Sequence, residues 1–180
     1  VASAYMRENG MNYKLNFGVE LPRLRDIAAG FPADHDLAQA LWKEDIRECK
    51  LLAAMLQPTG TFYPEIADIW VESMPNAEIA QHTVQNLFCR LPYASQKAYE
   101  WIASENDMFQ QCGYLILARL FMQGLRPNER SADEFLDQAR TALHASLPVR
   151  RAAVSALQKY QTLDETAREA GEKILRETGI

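Results

Sequence analysis

The sequence predicts an all-α fold, an α-α superhelix of stacked helical hairpins, and three observations carry that expectation. Apolar residues recur at helical spacing almost throughout: Leu51, Leu52, Met55 and Leu56 share one face, as do Ile66, Ile69, Trp70 and Met74, and again Ile79, Val84, Leu87 and Phe88. No stretch alternates in the manner of a half-buried strand. Proline, glycine and capping residues fall between the periodic segments and divide them into pairs.

In chain order, Pro22 suits the first turn of a helix over Leu21 to Ala29, and Gly30 suits its end. A first hairpin spans about Asp34 to Gln57, and Pro58 and Gly60 break the chain after it. The second spans Phe62 to Leu91. Pro75-Asn76 divides its helices, Asn76 is placed to cap the later one, and Leu91-Pro92 ends it. The third spans Tyr93 to Gly124 and is followed by a polar connection, Leu125 to Arg130. The fourth spans Ser131 to Tyr160. Ser131-Ala-Asp-Glu134 and Thr162-Leu-Asp-Glu165 both fit the capping box, in which side chains satisfy free amides at a helix start. Leu163 to Thr178 reads as a polar helix that closes the stack. Hairpin starts lie about 30 to 40 residues apart, within the range of helical solenoids. One hairpin cannot bury its apolar stripe alone; stacking does so, and it leaves a concave face for a ligand. With no linker or low-complexity stretch, residues 1–180 read as a single repeat domain.

The chain has 180 residues, enough for a sizeable core, and its 48% hydrophobic content is ordinary for a globular protein. No apolar run approaches the ~18 residues of a membrane span. Val1 to Gly10 lacks the charged start and apolar stretch of a secretory signal, and the leading Val leaves room for a short preceding segment. A cytoplasmic protein with no membrane partner is expected. Cys49, Cys89 and Cys112 fall inside apolar helical segments without CxxC spacing, which predicts reduced, mostly buried thiols. His35, His82 and His144 do not pair with them at ligand spacing, so neither a metal nor another cofactor is expected. The net charge of −5 counts against strong non-specific DNA binding. Yet no Asp or Glu occurs between Gln138 and Leu163, where Arg140, Arg150, Arg151 and Lys159 lie, and an acidic protein can carry one basic face.

Phe17-Gly18-Val19-Glu20-Leu21-Pro22-Arg23-Leu24-Arg25, then Leu41-Trp42 and Glu48-Cys49-Lys50, resemble the opening of the AlkD-like DNA alkylation repair family. Trp101-Ile102-Ala103-Ser104 is similar to that family's Trp-Ile-Ala-Ser stretch. The resemblance covers roughly Tyr5 to Tyr160 and rests on the order and spacing of these motifs together. It implies HEAT-like repeats that cradle duplex DNA on a basic concave surface. It also implies metal-free excision of cationic N3- or N7-alkylpurines. A carboxylate would then stabilise the charge that builds on the sugar, aromatic rings would pack on the damaged nucleotide, and basic residues would hold phosphates.

The matched positions depart from that chemistry. The family's Asn-Trp-acid-x-x-Asp, whose last Asp is catalytic, here reads Asn76-Ala77-Glu78-Ile79-Ala80-Gln81. Its Trp-x-x-Arg reads Met108-Phe109-Gln110-Gln111, and its Ala-x-x-Trp reads Ala152-Ala153-Val154-Ser155. Ala77, Gln81, Met108, Gln111 and Ser155 thus replace five functional groups, and neutral Gln81 can neither supply full charge nor take a proton. Glu78 is the candidate substitute carboxylate; its ordinary role is to favour the positive end of a helix. Gln111 and Ser155 read as solvated groove residues, and His82 as a packed or half-buried histidine. Trp42, Trp70 and Trp101 sit in apolar periodic context and read as core.

Arg119, Arg126, Arg140, Arg150, Arg151 and Lys159 are the candidate phosphate-facing residues, although Arg150 and Arg151 lie about 100° apart around a helix. These readings together describe a family member without glycosylase activity that binds duplex or branched DNA on a concave face. Two alternatives are an active alkylpurine glycosylase with a rearranged site and a protein-interaction scaffold, which the negative charge favours.

Overall fold

The computed structural model describes residues 2–8 and 13–180, and the chain divides into two compact units, Val1–Pro92 and Tyr93–Ile180. Among the described residues no strand forms. A single parallel bridge joins Leu15 to Ile46, with Leu15 N donating to Asp45 O and Arg47 N to Leu15 O, each at 3.2 Å. No described helix is long and apolar enough to cross a membrane.

The first unit holds α1 (Ala2–Glu8), α2 (Leu21–Ala29), α3 (His35–Lys43), α4 (Arg47–Leu56), α5 (Pro64–Glu72) and α6 (Ala77–Asn86). Helix α4 is its hub and packs on α2, α3 and α6. Pro22 stands in the first turn of α2, and Asn76 caps α6 by accepting from Ile79 N at 3.1 Å, both as the sequence predicts. Helix α6 stops at Asn86, sooner than expected, and residues 88–90 form a 3-10 turn before Pro92. Trp42 and Trp70 stack face to face, ring centroids 4.1 Å apart, and Phe62 meets Trp70 edge-on at 4.8 Å. Each indole N–H has a partner, Ser73 Oγ for Trp42 and Gln39 Oε1 for Trp70, so both rings are buried without an orphaned donor.

The second unit holds α7 (Ala94–Ile102), α8 (Asp107–Met122), α9 (Glu129–Ala142), α10 (Leu147–Tyr160) and α11 (Glu165–Glu177). The long apolar α8 packs extensively on both α7 and α10. Its contact with α7 depends on Gly113: a Cβ there would lie 2.7 Å from Ile102 Cγ2 and 2.9 Å from Ala98 O. Phe121, Phe135 and Tyr160 form an aromatic cluster with centroids 5.1–5.4 Å apart, and Trp101 is buried beside Phe109.

Both capping boxes need correction. Helix α9 begins at Glu129 and is capped by Asn128, whose Oδ1 accepts from Ser131 N at 2.8 Å. Helix α11 is capped by Asp164, which accepts from Ala167 N at 2.8 Å. Thr162 is unavailable because its hydroxyl donates to Lys159 O, finishing α10. The thiols also differ from expectation: only Cys112 is buried, while Cys49 and Cys89 are half-buried.

Candidate functional site

In the first unit, Ala77, Glu78 and Gln81 share the opening turns of α6. Ala77 and Gln81 are exposed. Glu78 is not an open carboxylate. Arg47, at the start of α4, donates from Nη2 to Glu78 Oε1 at 2.7 Å and from Nε to the same oxygen at 2.9 Å. The Tyr13 hydroxyl donates to Glu78 Oε2 at 2.6 Å. Both oxygens are therefore occupied. Burial alone would raise the Glu78 pKa, but the hydrogen bonds from Arg47 and Tyr13, with the Arg47 charge, outweigh it and hold the carboxyl below its ordinary value.

The network continues into the chain that precedes α2. Arg47 Nη1 donates to Val19 O at 2.8 Å and lies 3.3 Å from Glu48 Oε1. Glu48 accepts from the backbone amides of Phe17 at 3.2 Å and Val19 at 3.1 Å. Two amides flanking one residue point at a single carboxylate because Gly18 adopts φ +70°, a conformation a side chain would strain. Lys50, one turn along α4, donates to Trp42 O at 2.7 Å and sits 4.7 Å over the Trp42 ring. The Glu48-Cys49-Lys50 motif is thus an internal fastening: Glu48 ties the segment before α2 to α4, and Lys50 ties α3 to it. Arg47, the centre of the network, and Tyr13 escaped the sequence reading. An available signal was three charges on an apolar helix, since buried charges must be paired.

In the second unit, Met108 is half-buried at the start of α8 and Gln111 is buried, not solvated as expected. Gln111 opens a continuous buried run in α8, Gln111 to Tyr114. Ser155 lies half-buried on α10 in an open depression of about 360 Å³, lined also by Arg150, Arg151, Val154, Gln158 and Ile180. Arg150 and Arg151 both reach this depression despite their angular separation, because it spans a broad face of the helix.

The six basic candidates have different environments. Arg150 and Arg151 are exposed, and neither forms an ion pair with a described residue. Lys159 is half-buried on the same helix, and Arg119 is half-buried on α8. Arg126 pairs with Asp164 at 3.1 Å and donates to Leu163 O at 2.7 Å. Arg140 on α9 pairs with Glu177 at 3.3 Å and Asp137 at 3.5 Å. The structure therefore brings Arg150 and Arg151 together with the matched position Ser155. It gives Arg126 and Arg140 acidic partners of their own. Among the described residues no group of three His, Cys, Asp or Glu side chains is placed to hold a metal ion.

Comparison with known proteins agrees with this architecture. A family profile described as "DNA alkylation repair enzyme" matches residues 2–170. No curated protein sequence matches significantly. One solved structure is similar over 98% of this chain and 76% of its own, with a TM-score of 0.86 and 17% identity. It comes from "a new family of proteins related to the HEAT-like repeat DNA glycosylases with affinity for branched DNA structures". At that identity the likeness establishes the HEAT-like, all-helical fold and nothing finer.

Proposed function

Because the chain belongs to the DNA alkylation repair enzyme family, we propose that it binds DNA, duplex or branched, without excising bases. The observation that carries this reading is the state of Glu78. It is the carboxylate beside the position matched to the catalytic Asp, and Arg47 and Tyr13 occupy both its oxygens. A carboxylate neutralised by a buried guanidinium gives little stabilisation to positive charge on a sugar. With its pKa depressed, it is also a weak base toward water. Gln81, exposed at the matched position, is neutral.

DNA binding is supported by the exposed Arg150 and Arg151 and by the described affinity of the structural neighbour for branched DNA. Arg119 and Lys159 extend the same surface in this reading, and Arg126 and Arg140 join it by exchanging their carboxylates for phosphates. Such exposed ion pairs are worth only about 0–1 kcal/mol, so the exchange costs little. Residues 1–180 are taken as one HEAT-like repeat domain, in keeping with a family match that spans both units. Three cysteines outside any disulfide accord with a cytoplasmic setting.

Two assays test the two halves. Fluorescent duplex and forked DNA, titrated at two salt concentrations, should bind with an affinity that falls steeply as salt rises. Absence of binding at low salt rejects the DNA reading. Methylated DNA incubated with excess protein should release no 7-methylguanine or 3-methyladenine above a buffer control. Release above that control rejects the non-excising reading and identifies a rearranged active site.

A further inference from the structure

A cleft of about 340 Å³ lies wholly within the second unit, between α7, the end of α8 and the connection into α9. All of its walls come from residues between Ser95 and Ser131. Leu117, Leu125 and Pro127 make it apolar, and Tyr99 and Phe121 add two aromatic rings. No carboxylate lines it, and each of its polar side chains can donate a hydrogen bond. Asn128 uses its Oδ1 to accept from Ser131 N at 2.8 Å, which leaves its amide NH2 as a donor. The Tyr99 hydroxyl is pushed up to about 12 by burial, with the charges of Glu134 and Tyr160 adding to the effect. It therefore stays a neutral donor at physiological pH, and no described residue accepts from it. A half-buried donor without a partner carries a desolvation cost that a ligand's acceptor would relieve.

Charge and shape together select the ligand. Arg126 is the one cation in the walls; Asp164 neutralises it at 3.1 Å, and Leu163 O holds its Nη2 at 2.7 Å. The interior is thus close to neutral and suits an uncharged group. An apolar protein side chain would cover the donors and offer them no acceptor. A planar heterocycle with carbonyl oxygens meets both conditions: its faces pack on the leucines and aromatic rings, and its carbonyls accept from Tyr99 and Asn128. The volume falls at the small end of ligand pockets, which run from about 300 to 1,000 Å³, and so suits one ring system. DNA presents such a ring edge and face only where a base is unpaired and unstacked. The Arg126 side chain is 63% exposed, so at the rim it can take the phosphate of the same nucleotide in place of Asp164. We infer that this cleft receives an unpaired base from the single-stranded arm of a branched DNA. The inference rests on the DNA-binding reading and names the feature of the branch that is recognised.

The test uses the full chain and two fluorescent forked duplexes with the same number of phosphates. One carries a single-stranded arm of thymidylates, the other an arm of abasic sites. The thymidylate fork should bind about tenfold tighter, the effect of one base held against aromatic and apolar walls. Two variants place that preference in the cleft. Ser95 is exposed on its edge, so S95W fills the space without removing a core side chain, and the ratio should fall to one. Y99F removes only the unpartnered hydroxyl; its melting temperature should match wild type while the ratio falls several-fold. Equal wild-type affinity for the two forks overturns the inference and leaves DNA binding standing. A tenfold ratio that survives in Y99F and in folded S95W places base recognition elsewhere and overturns it as well. Absence of binding to either fork at low salt rejects the DNA reading and the inference with it.

Discussion

Replacing Glu78 with Ala should destabilise the first unit by about 3 kcal/mol. The Arg47 side chain is 3% exposed and that of Glu78 12%, so the pair is largely withdrawn from water. Breaking a buried pair by removing one partner costs about 3–5 kcal/mol, because the remaining charge keeps its desolvation penalty. The lower end applies here because Glu48 Oε1 stays 3.3 Å from Arg47 and Val19 O still accepts from it. Glu78→Gln keeps an acceptor but loses the charge, for a cost of about 1–2 kcal/mol. Urea denaturation followed by tryptophan fluorescence reads both values; guanidinium chloride is avoided because it screens ion pairs. A loss below about 0.5 kcal/mol for Glu78→Ala would refute the assignment of a buried, energetically coupled pair.

Acid titration gives an independent reading of the same network. The Glu78 carboxyl in the folded chain titrates below its ordinary value of 4.5, so the unfolded chain binds that proton more readily. The stability it contributes is present at neutral pH and down to about pH 4.5. It is lost as pH falls through the depressed folded value. The stability difference between wild type and Glu78→Gln should therefore be flat from neutral to mildly acid pH and shrink below that point. A difference that widens toward acid would reverse the sign and defeat the argument.

Other outcomes follow from particular contacts. Gln81→Asp alone should release no alkylpurine from methylated DNA, because Ala77, Met108 and Ser155 still lack the aromatic surfaces of the matched pattern; appreciable excision by that single variant would show the aromatics to be dispensable. Gly113→Ala should lower stability by about 1–3 kcal/mol in a thermal or urea melt, since its Cβ meets the α7 backbone at 2.9 Å. Asp164→Ala should cost about 1 kcal/mol through the lost α11 cap. Thr162→Ala and Ser131→Ala, neither of which caps the start of a helix, should each stay within about 0.5 kcal/mol. Equal losses across those three variants would restore the capping-box reading.

Most of the helical framework was legible because its signals are short-range. The apolar stripes of α4 and α6 follow from the helical repeat alone, whereas Ile69 of the α5 stripe is exposed, and Pro22 and Asn76 act where their own backbone chemistry places them. The three tryptophans read correctly as core because their neighbours share their periodicity. Cap selection was less legible: Asn128 and Asp164 outcompete Ser131 and Thr162, and the winner depends on how the preceding turn has already used its hydroxyls. The environment of Gln111 was misread because a polar side chain on an apolar helix carries no local mark of which face it occupies.

The candidate site divides along the same line. The sequence by itself showed that the catalytic-type positions hold Ala77, Gln81, Met108, Gln111 and Ser155, and that a stretch without acids surrounds Arg150 and Arg151. Residue identity and spacing suffice for that. The tertiary structure decided what became of the remaining charges. Glu78 is tied to Arg47, 31 residues away, and to Tyr13, 65 residues away, whereas Arg150 and Arg151 stay open beside Ser155. Partners at such separations are brought together by the packing of α4 against α6 and the path of the chain at Gly18. A carboxylate's availability depends on the neighbours that packing gives it, and the helical repeat does not encode those neighbours.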